Sequence, residues 1–273
     1  MMKKLLNISD LTKDDFQQIL NFAKSIKPYQ EKCLENKNIG LIFEKNSTRT
    51  RLSFQVGINQ LGGQYIDIKL DELNLQRVES FEDTFEIMAQ YLDALVFRTT
   101  DHAKLNLALK YFDKPVINAL SDISHPCQAI SDIYTLKEHF QKEDGFNIVW
   151  CGDLNNVLFS LLESMKYLSS SKINIFTDKK IYEKNYENFL NLDNISYHFE
   201  IDDKILASAD CVMTDVFNSM NDKDDKETLL KRFMVDQELM KKTSDTAVFM
   251  HCLPAKIGSE VSNDVIKVQS RLC

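Results

Sequence analysis

The sequence predicts an α/β fold of two domains, each a mainly parallel sheet flanked by helices, and three observations predict it. Short β-prone apolar runs alternate with amphipathic stretches along the whole chain. Polar, chemistry-bearing residues recur where the apolar runs end, which is where open α/β sheets place their ligand contacts. The turn-forming triplet Glu143-Asp144-Gly145 marks the boundary, giving domains of residues 1–141 and 142–273.

The elements follow in order. Ser9-Asp10 is expected to cap a helix carrying Leu11, Phe16, Ile19, Leu20, Phe22, Ala23 and Ile26, ending before Pro28. A strand follows at 38–43, then a polar hinge and a helix that Gly62-Gly63 stops. A second strand at 64–68 leads through a polar loop, 71–80, into a helix to Leu92. The run Ala94-Leu95-Val96-Phe97 is a third strand with Arg98 directly behind it, and a helix from about Asp101 to Tyr111 precedes a strand at 115–118. A helix from Gln128 to about Phe140 closes the first half. The second opens with the strand 146–150, the turn Cys151-Gly152-Asp153-Leu154-Asn155-Asn156 and an apolar helix. Further strands are read at 173–176, 195–199, 211–214 and 247–250.

Composition narrows the function. A chain of 273 residues with 44% apolar and 10% aromatic content can bury a sizeable core. A net charge of −8 gives no general footprint for nucleic acid or an anionic membrane, so any anion site must be local. No segment approaches the roughly 20 apolar residues of a membrane span, and the apolar start is too short for a signal peptide, so a cytoplasmic protein is expected. Six cysteines are scattered without metal spacing, and neither a disulfide framework nor a metal site is indicated.

The hinge Glu44-Lys45-Asn46-Ser47-Thr48-Arg49-Thr50-Arg51 reads as a phosphate cradle. Ser47 or Thr48 can cap the helix, whose first turn presents unpartnered N–H groups and a partial positive charge. Two arginines there oppose that dipole unless an anion is bound, and guanidinium forks suit phosphate oxygens. A capped helix with solvated arginines is the alternative. Arg98 and His125 stand at later strand ends; His125, in Ser124-His125-Pro126-Cys127-Gln128, can donate to a carbonyl oxygen whether neutral or charged. The Gly152-Asp153 turn lacks Gly-x-Gly-x-x-Gly, so a dinucleotide site is not supported.

Ser-Thr-Arg-Thr-Arg resembles the carbamoyl-phosphate signature of the aspartate and ornithine transcarbamylases, and His-Pro-Cys-Gln resembles that family's second motif. Gly-Asp-x-x-Asn-Asn, Asp215-x-x-x-Ser219-Met220 and His251-Cys252-Leu253-Pro254 resemble the motifs of its ornithine branch; the aspartate enzymes carry Pro-Leu-Pro at the last of these. The resemblance implies transfer of a carbamoyl group from carbamoyl phosphate to L-ornithine, yielding citrulline and phosphate, without metal or organic cofactor. It implies carbamoyl-phosphate contacts from Ser47, Thr48, Arg49, Thr50, Arg98, His125 and Gln128. Asn156, Asp215, Ser219, Met220, Cys252 and Leu253 would hold ornithine, with Cys252, Arg98 and His125 as the catalytic residues across a crevice between the domains. A cationic substrate would favour thiolate character at Cys252. A homotrimer is also implied, in which Asn74 stands where the family's glutamine reaches a neighbouring subunit's phosphate. The family continues past Val261 into a return helix with an Asn-Arg-Leu-His-like segment that this chain does not match, and its arginine's role is not transferred to Arg271. Alternatives are a transcarbamylase for a related amine such as putrescine, and an inactive transcarbamylase-like chain.

Overall fold

The structure is a computed structural model that describes residues 4–27, 30–72, 79–185, 190, 192–218, 225–268 and 271–272. The chain divides into two compact units, Met1–Cys127 and Gln128–Cys273.

The first unit holds β1 (Lys4–Leu5), α1 (Lys13–Ser25), β2 (Asn38–Phe43), α2 (Arg49–Gln60), β3 (Gln64–Ile68), α3 (Phe81–Tyr91), β4 (Ala94–Arg98), α4 (His102–Tyr111) and β5 (Val116–Leu120). Helix α5 (Pro126–Phe140) runs across the division. The strands form one five-stranded sheet in the order β1-β5-β4-β2-β3, with every pairing parallel. Side chains alternate across it with the period of two that a strand imposes. Ile42, Leu95 and Phe97 pack with Phe85, Met88, Leu105 and Phe112 on one face. Ile39, Leu41 and Val96 pack with Ile58 on the other. Apolar cover on both faces is what a parallel sheet requires.

The second unit continues with β6 (Asn147–Cys151), α6 (Asn156–Ser164), β7 (Lys172–Phe176), α7 (Lys179–Asn185), β8 (Ile195–His198), α8 (Asp203–Ala207) and β9 (Cys211–Thr214). After it come α9 (Glu227–Leu230), α10 (Gln237–Met240), β10 (Val248–His251), α11 (Asn263–Val268) and β11 (Arg271–Leu272). Its six strands pair in parallel in the order β11-β10-β9-β6-β7-β8. The two-domain α/β architecture is thus the one expected, with a five- and a six-stranded sheet.

The strand orders mark a switch point in each sheet. In the first sheet the chain winds outward from β2 to β3 and, separately, from β4 to β5, so direction reverses between β2 and β4. In the second it reverses between β6 and β9. At such a switch point the connections leave toward opposite faces, opening a crevice beyond the carboxyl ends of the two strands.

The start of α1 differs from expectation. Thr12, not Ser9-Asp10, caps α1: its Oγ1 accepts the Asp15 N–H at 3.1 Å while the Asp15 carboxylate accepts the Thr12 N–H at 3.0 Å. Asp10 is occupied upstream, accepting from the backbone N–H groups of Leu6 and Asn7 at 2.8 and 2.9 Å. Two overlapping capping patterns lie in the segment, and the later one starts the helix.

Candidate active site

At the switch point of the first sheet, β2 leads through residues 44–48 into α2, and Arg98 ends the neighbouring β4. Phe43 and Arg98 are in register across the pair. Arg98 Nη1 donates to Ser47 Oγ and Thr50 Oγ1, each at 3.1 Å. Two expected residues, Ser47 and Thr50, therefore converge on the guanidinium of a third, Arg98. Thr48 and Arg49 are exposed at the mouth of α2. The expected cap is not made: Thr48 occupies the N-cap position in helical conformation, and its side chain makes no capping bond. Ser47, the other candidate, turns its hydroxyl to Arg98 instead.

Arg51 is corrected too. Its Nη2 and Nε meet the Asp67 carboxylate of β3 at 2.8 and 3.1 Å, so the chain's own acid neutralises it. Glu44 is likewise engaged, accepting from Thr99 Oγ1 and from Lys104 Nζ, both at 2.5 Å.

His125 follows a turn fixed by buried polar groups. Asn118 Nδ2 donates to Leu6 O and Ser124 O at 2.9 and 3.2 Å, and Ser121 Oγ accepts the Ser124 N–H at 3.1 Å. The imidazole is buried, which together with the nearby Arg98 charge lowers its pKa to about 3. It is neutral at physiological pH. Gln128 lies one turn into α5, which begins at Pro126 and not at Gln128, and its Nε2 donates to Asp132 Oδ1 at 2.9 Å. Burial, with the Asp215 charge adding to it, raises the Asp132 pKa to about 7.

At the switch point of the second sheet, Gly152 turns the chain after β6 with φ +131°, where a Cβ would stand 2.8 Å from the Phe217 ring. Glycine is required there. Asn155 then does two jobs. Its Oδ1 accepts the Val157 and Leu158 N–H groups, both at 3.1 Å, capping α6, and its Nδ2 donates to Asp215 Oδ2 at 2.7 Å. Asp215 directly follows β9, and its other oxygen accepts the Cys252 S–H at 3.0 Å. Burial, and then the Asp215 charge, push that thiol well above its ordinary range. In the unliganded chain Cys252 is a neutral donor; the thiolate character expected of it belongs to the complex with a cationic substrate. Asn156 begins α6, and Leu253 donates its N–H to His251 Nδ1 at 2.9 Å. Ser219, Met220 and Asn74 lie outside the described residues.

Residues 3–138 match the sequence profile of the "Aspartate/ornithine carbamoyltransferase, carbamoyl-P binding domain", and residues 144–273 match the "Aspartate/ornithine carbamoyltransferase, Asp/Orn binding domain". The chain belongs to the aspartate/ornithine carbamoyltransferase family. It is 38% identical over 274 residues to the ornithine carbamoyltransferase of Rhizobium johnstonii, covering 97% of this chain and 90% of that one. It resembles the solved ornithine carbamoyltransferase from Pyrococcus furiosus with a TM-score of 0.84 and 33% identity, over 99% of this chain and 91% of that one. The anabolic ornithine carbamoyltransferase from Campylobacter jejuni gives a TM-score of 0.85 at 32% identity, over 97% and 91%.

Within this member of the carbamoyltransferase family, sequence reasoning passed over two site residues. Asn155 was subordinated to Asn156, although a capping Asn just before an apolar helix was a legible signal. Asp132 lies one helical turn beyond Gln128, the i,i+4 spacing that brings side chains together. The fold also gathers Asp215, His251 and Cys252, with one donor atom from each within 4.8 Å of the others, a set that linear spacing could not show. They could hold a metal ion, but His251 Nδ1 already accepts from Leu253 and the thiol already bonds Asp215.

Proposed function

We propose that this chain is an ornithine carbamoyltransferase in which the first unit binds carbamoyl phosphate and the second binds L-ornithine. The profile spans support assigning 1–141 and 142–273 to these two tasks. The observation that carries the substrate choice is the Asp215–Cys252 pair, capped on its other oxygen by Asn155. A buried carboxylate that accepts from an amide and a thiol suits an ammonium group.

Ser47, Thr50 and Arg98 would bind the phosphate with Thr48 and Arg49. Neutral His125 would donate to the carbamoyl oxygen, with Arg98 alongside and Gln128 on the carbamoyl amide. The ornithine side-chain ammonium would take the Asp215 carboxylate. Its charge beside Cys252 lowers the thiol pKa, so the thiol releases its own proton to solvent as ornithine binds, and the thiolate then accepts the proton that the ammonium must lose. The amine lone pair then attacks the carbonyl carbon. The oxyanion that forms is met by Arg98 and His125; as it collapses, the C–O bond to phosphate breaks, the departing phosphate takes the second proton from the nitrogen, and citrulline and phosphate are released.

Assay with carbamoyl phosphate and, side by side, ornithine, putrescine and aspartate tests the reading. Citrulline is the expected main product; a faster reaction with either other acceptor overturns it.

The same proposal includes a homotrimer and a cytoplasmic location in arginine metabolism. Self-association is supported by apolar exposure on one edge of the first unit: Leu52 and Val56 on α2, with Tyr65 and Ile66 on the edge strand β3. Sedimentation equilibrium at micromolar concentration should give three times the chain mass. The free thiols of Cys33, Cys127, Cys151, Cys211 and Cys252 suit a reducing compartment. Cell fractionation tests the location.

A further inference from the structure

Behind Asp215 and Cys252 lies a buried polar circuit that the reaction does not touch. His251 ends β10, with both ring nitrogens engaged. Nδ1 accepts the Leu253 N–H at 2.9 Å, so the ring proton sits on Nε2, which faces Glu260 Oε1 at 3.3 Å. The same carboxylate oxygen accepts the Lys256 backbone N–H. Glu260 is fully buried, and among the described residues its second oxygen, Oε2, has no hydrogen-bond partner.

A buried carboxylate with one oxygen unmet is costly, and an apolar side chain of similar size would avoid that cost. What Glu260 holds accounts for its place. Its backbone is a fixed post: Val235 N donates to Glu260 O and Ser262 N donates to Val235 O, both at 2.9 Å. From that post it grips the loop at His251, where the chain leaves β10, and at Lys256, five residues on. Cys252 and Leu253 lie between the two grips, and Leu253 has φ +50°, a conformation a branched side chain seldom adopts unaided.

We propose that Glu260 is a positioning residue for the amine substrate: acting through His251, it holds the Cys252–Leu253 backbone so that the thiol meets Asp215. The inference rests on the ornithine reading given above. Both bonds to Glu260 fall on one oxygen, so shape and acceptor, not charge, are what the loop requires. Glutamine can supply both.

The test compares the full chain with Glu260→Leu and Glu260→Gln in steady-state kinetics with both substrates. Glu260→Leu should raise KM for ornithine at least tenfold and leave KM for carbamoyl phosphate within twofold. Glu260→Gln should restore the ornithine KM to within threefold of the parent chain. Equal movement of both KM values, or a glutamine variant as impaired as the leucine one, would overturn the proposal. Nitrogen NMR of the parent chain's histidines, with the His251 signals assigned by their loss in His251→Gln, supplies a readout independent of turnover and of the leucine variant's folding. A protonated Nε2 with a bare Nδ1 is expected, and the opposite tautomer refutes the circuit. If the parent chain makes no citrulline, the functional reading fails, while the tautomer still decides whether Glu260 holds this loop.

Discussion

Each sheet carries a polar cluster at its switch point, and the two clusters are built from opposite materials. In the first, Arg98 shares Nη1 between the hydroxyls of Ser47 and Thr50. In the second, Asp215 divides its oxygens between the amide of Asn155 and the thiol of Cys252. In both, these bonds orient a charged group through neutral partners. Elsewhere the chain answers charge with charge: Arg51 with Asp67, Lys104 with Glu44, Lys226 with Asp153. The proposed function assigns Arg98 and Asp215 to ligands and leaves these three ion pairs to the fold. Under the reading proposed above, the hydroxyls of Ser47 and Thr50 orient the Arg98 guanidinium for an anion, and the amide and thiol orient the Asp215 carboxylate for a cation.

The comparison breaks most visibly at Arg98. Arg98→Leu removes the group on which Ser47 and Thr50 converge, and charge-assisted hydrogen bonds contribute about 1.5–3 kcal/mol each. We expect kcat/KM for citrulline formation to fall at least a hundredfold; a loss below threefold would take Arg98 out of the site.

The proton balance of the two clusters gives the next effect. Asp132 binds its proton more tightly folded, with a pKa of about 7, than unfolded, so the stability it lends is complete below pH 4 and lost as pH rises through 7. His125 runs the other way. Its folded pKa of about 3 means that its stability is complete above the ordinary histidine range and lost as pH falls toward 3. Asp132→Asn keeps an acceptor for Gln128 and has no proton to lose. In urea unfolding it should exceed the parent chain by about 2 kcal/mol at pH 8 and match it at pH 4, the full shift being reduced by local relaxation on ionisation. Equal stability at both pH values would show that Asp132 is not held protonated.

A smaller effect separates the sites by substrate. Asp215→Asn leaves the second cluster its shape but not its charge, so KM for ornithine should rise about tenfold, or about 1.4 kcal/mol, with KM for carbamoyl phosphate within twofold. Movement of both constants together would mean that the clusters do not divide the substrates as proposed.

Much of this was legible in the chain. Alternating apolar runs and helices announced two parallel sheets, and the residues that meet at Arg98 were all visible as polar breaks after strands. What was hidden depends on pairing across the sheet. Arg51 looked like a second phosphate ligand because its acid, Asp67, lies 16 residues away on a strand whose register no local pattern reveals. That Cys252 rests as a neutral donor without a cation was hidden too, because its neighbour through space, Asp215, is 37 residues off and is a negative charge. Asn155 and Asn156 were indistinguishable by type; a one-residue difference in where the helix starts decides which one caps α6 and reaches Asp215.

The smallest effect contrasts two helix starts that look alike in sequence. Thr12 and Thr48 each precede a helix, but only the Thr12 side chain accepts a hydrogen bond from the helix it opens. Losing a capping threonine costs about 1 kcal/mol. Thr12→Ala should therefore lower stability by about that amount and leave citrulline formation unchanged. Thr48→Ala removes no capping bond, so its stability cost should stay below about 0.3 kcal/mol. If Thr48 is instead reserved for phosphate, the same change should raise KM for carbamoyl phosphate severalfold and weaken that ligand's thermal stabilisation of the chain. The pair forms a crossed test: stability should respond at α1 and ligand affinity at α2. A Thr48→Ala chain that loses as much stability as Thr12→Ala while keeping its carbamoyl-phosphate KM would show an ordinary cap at the mouth of α2 and return that hydroxyl to the helix.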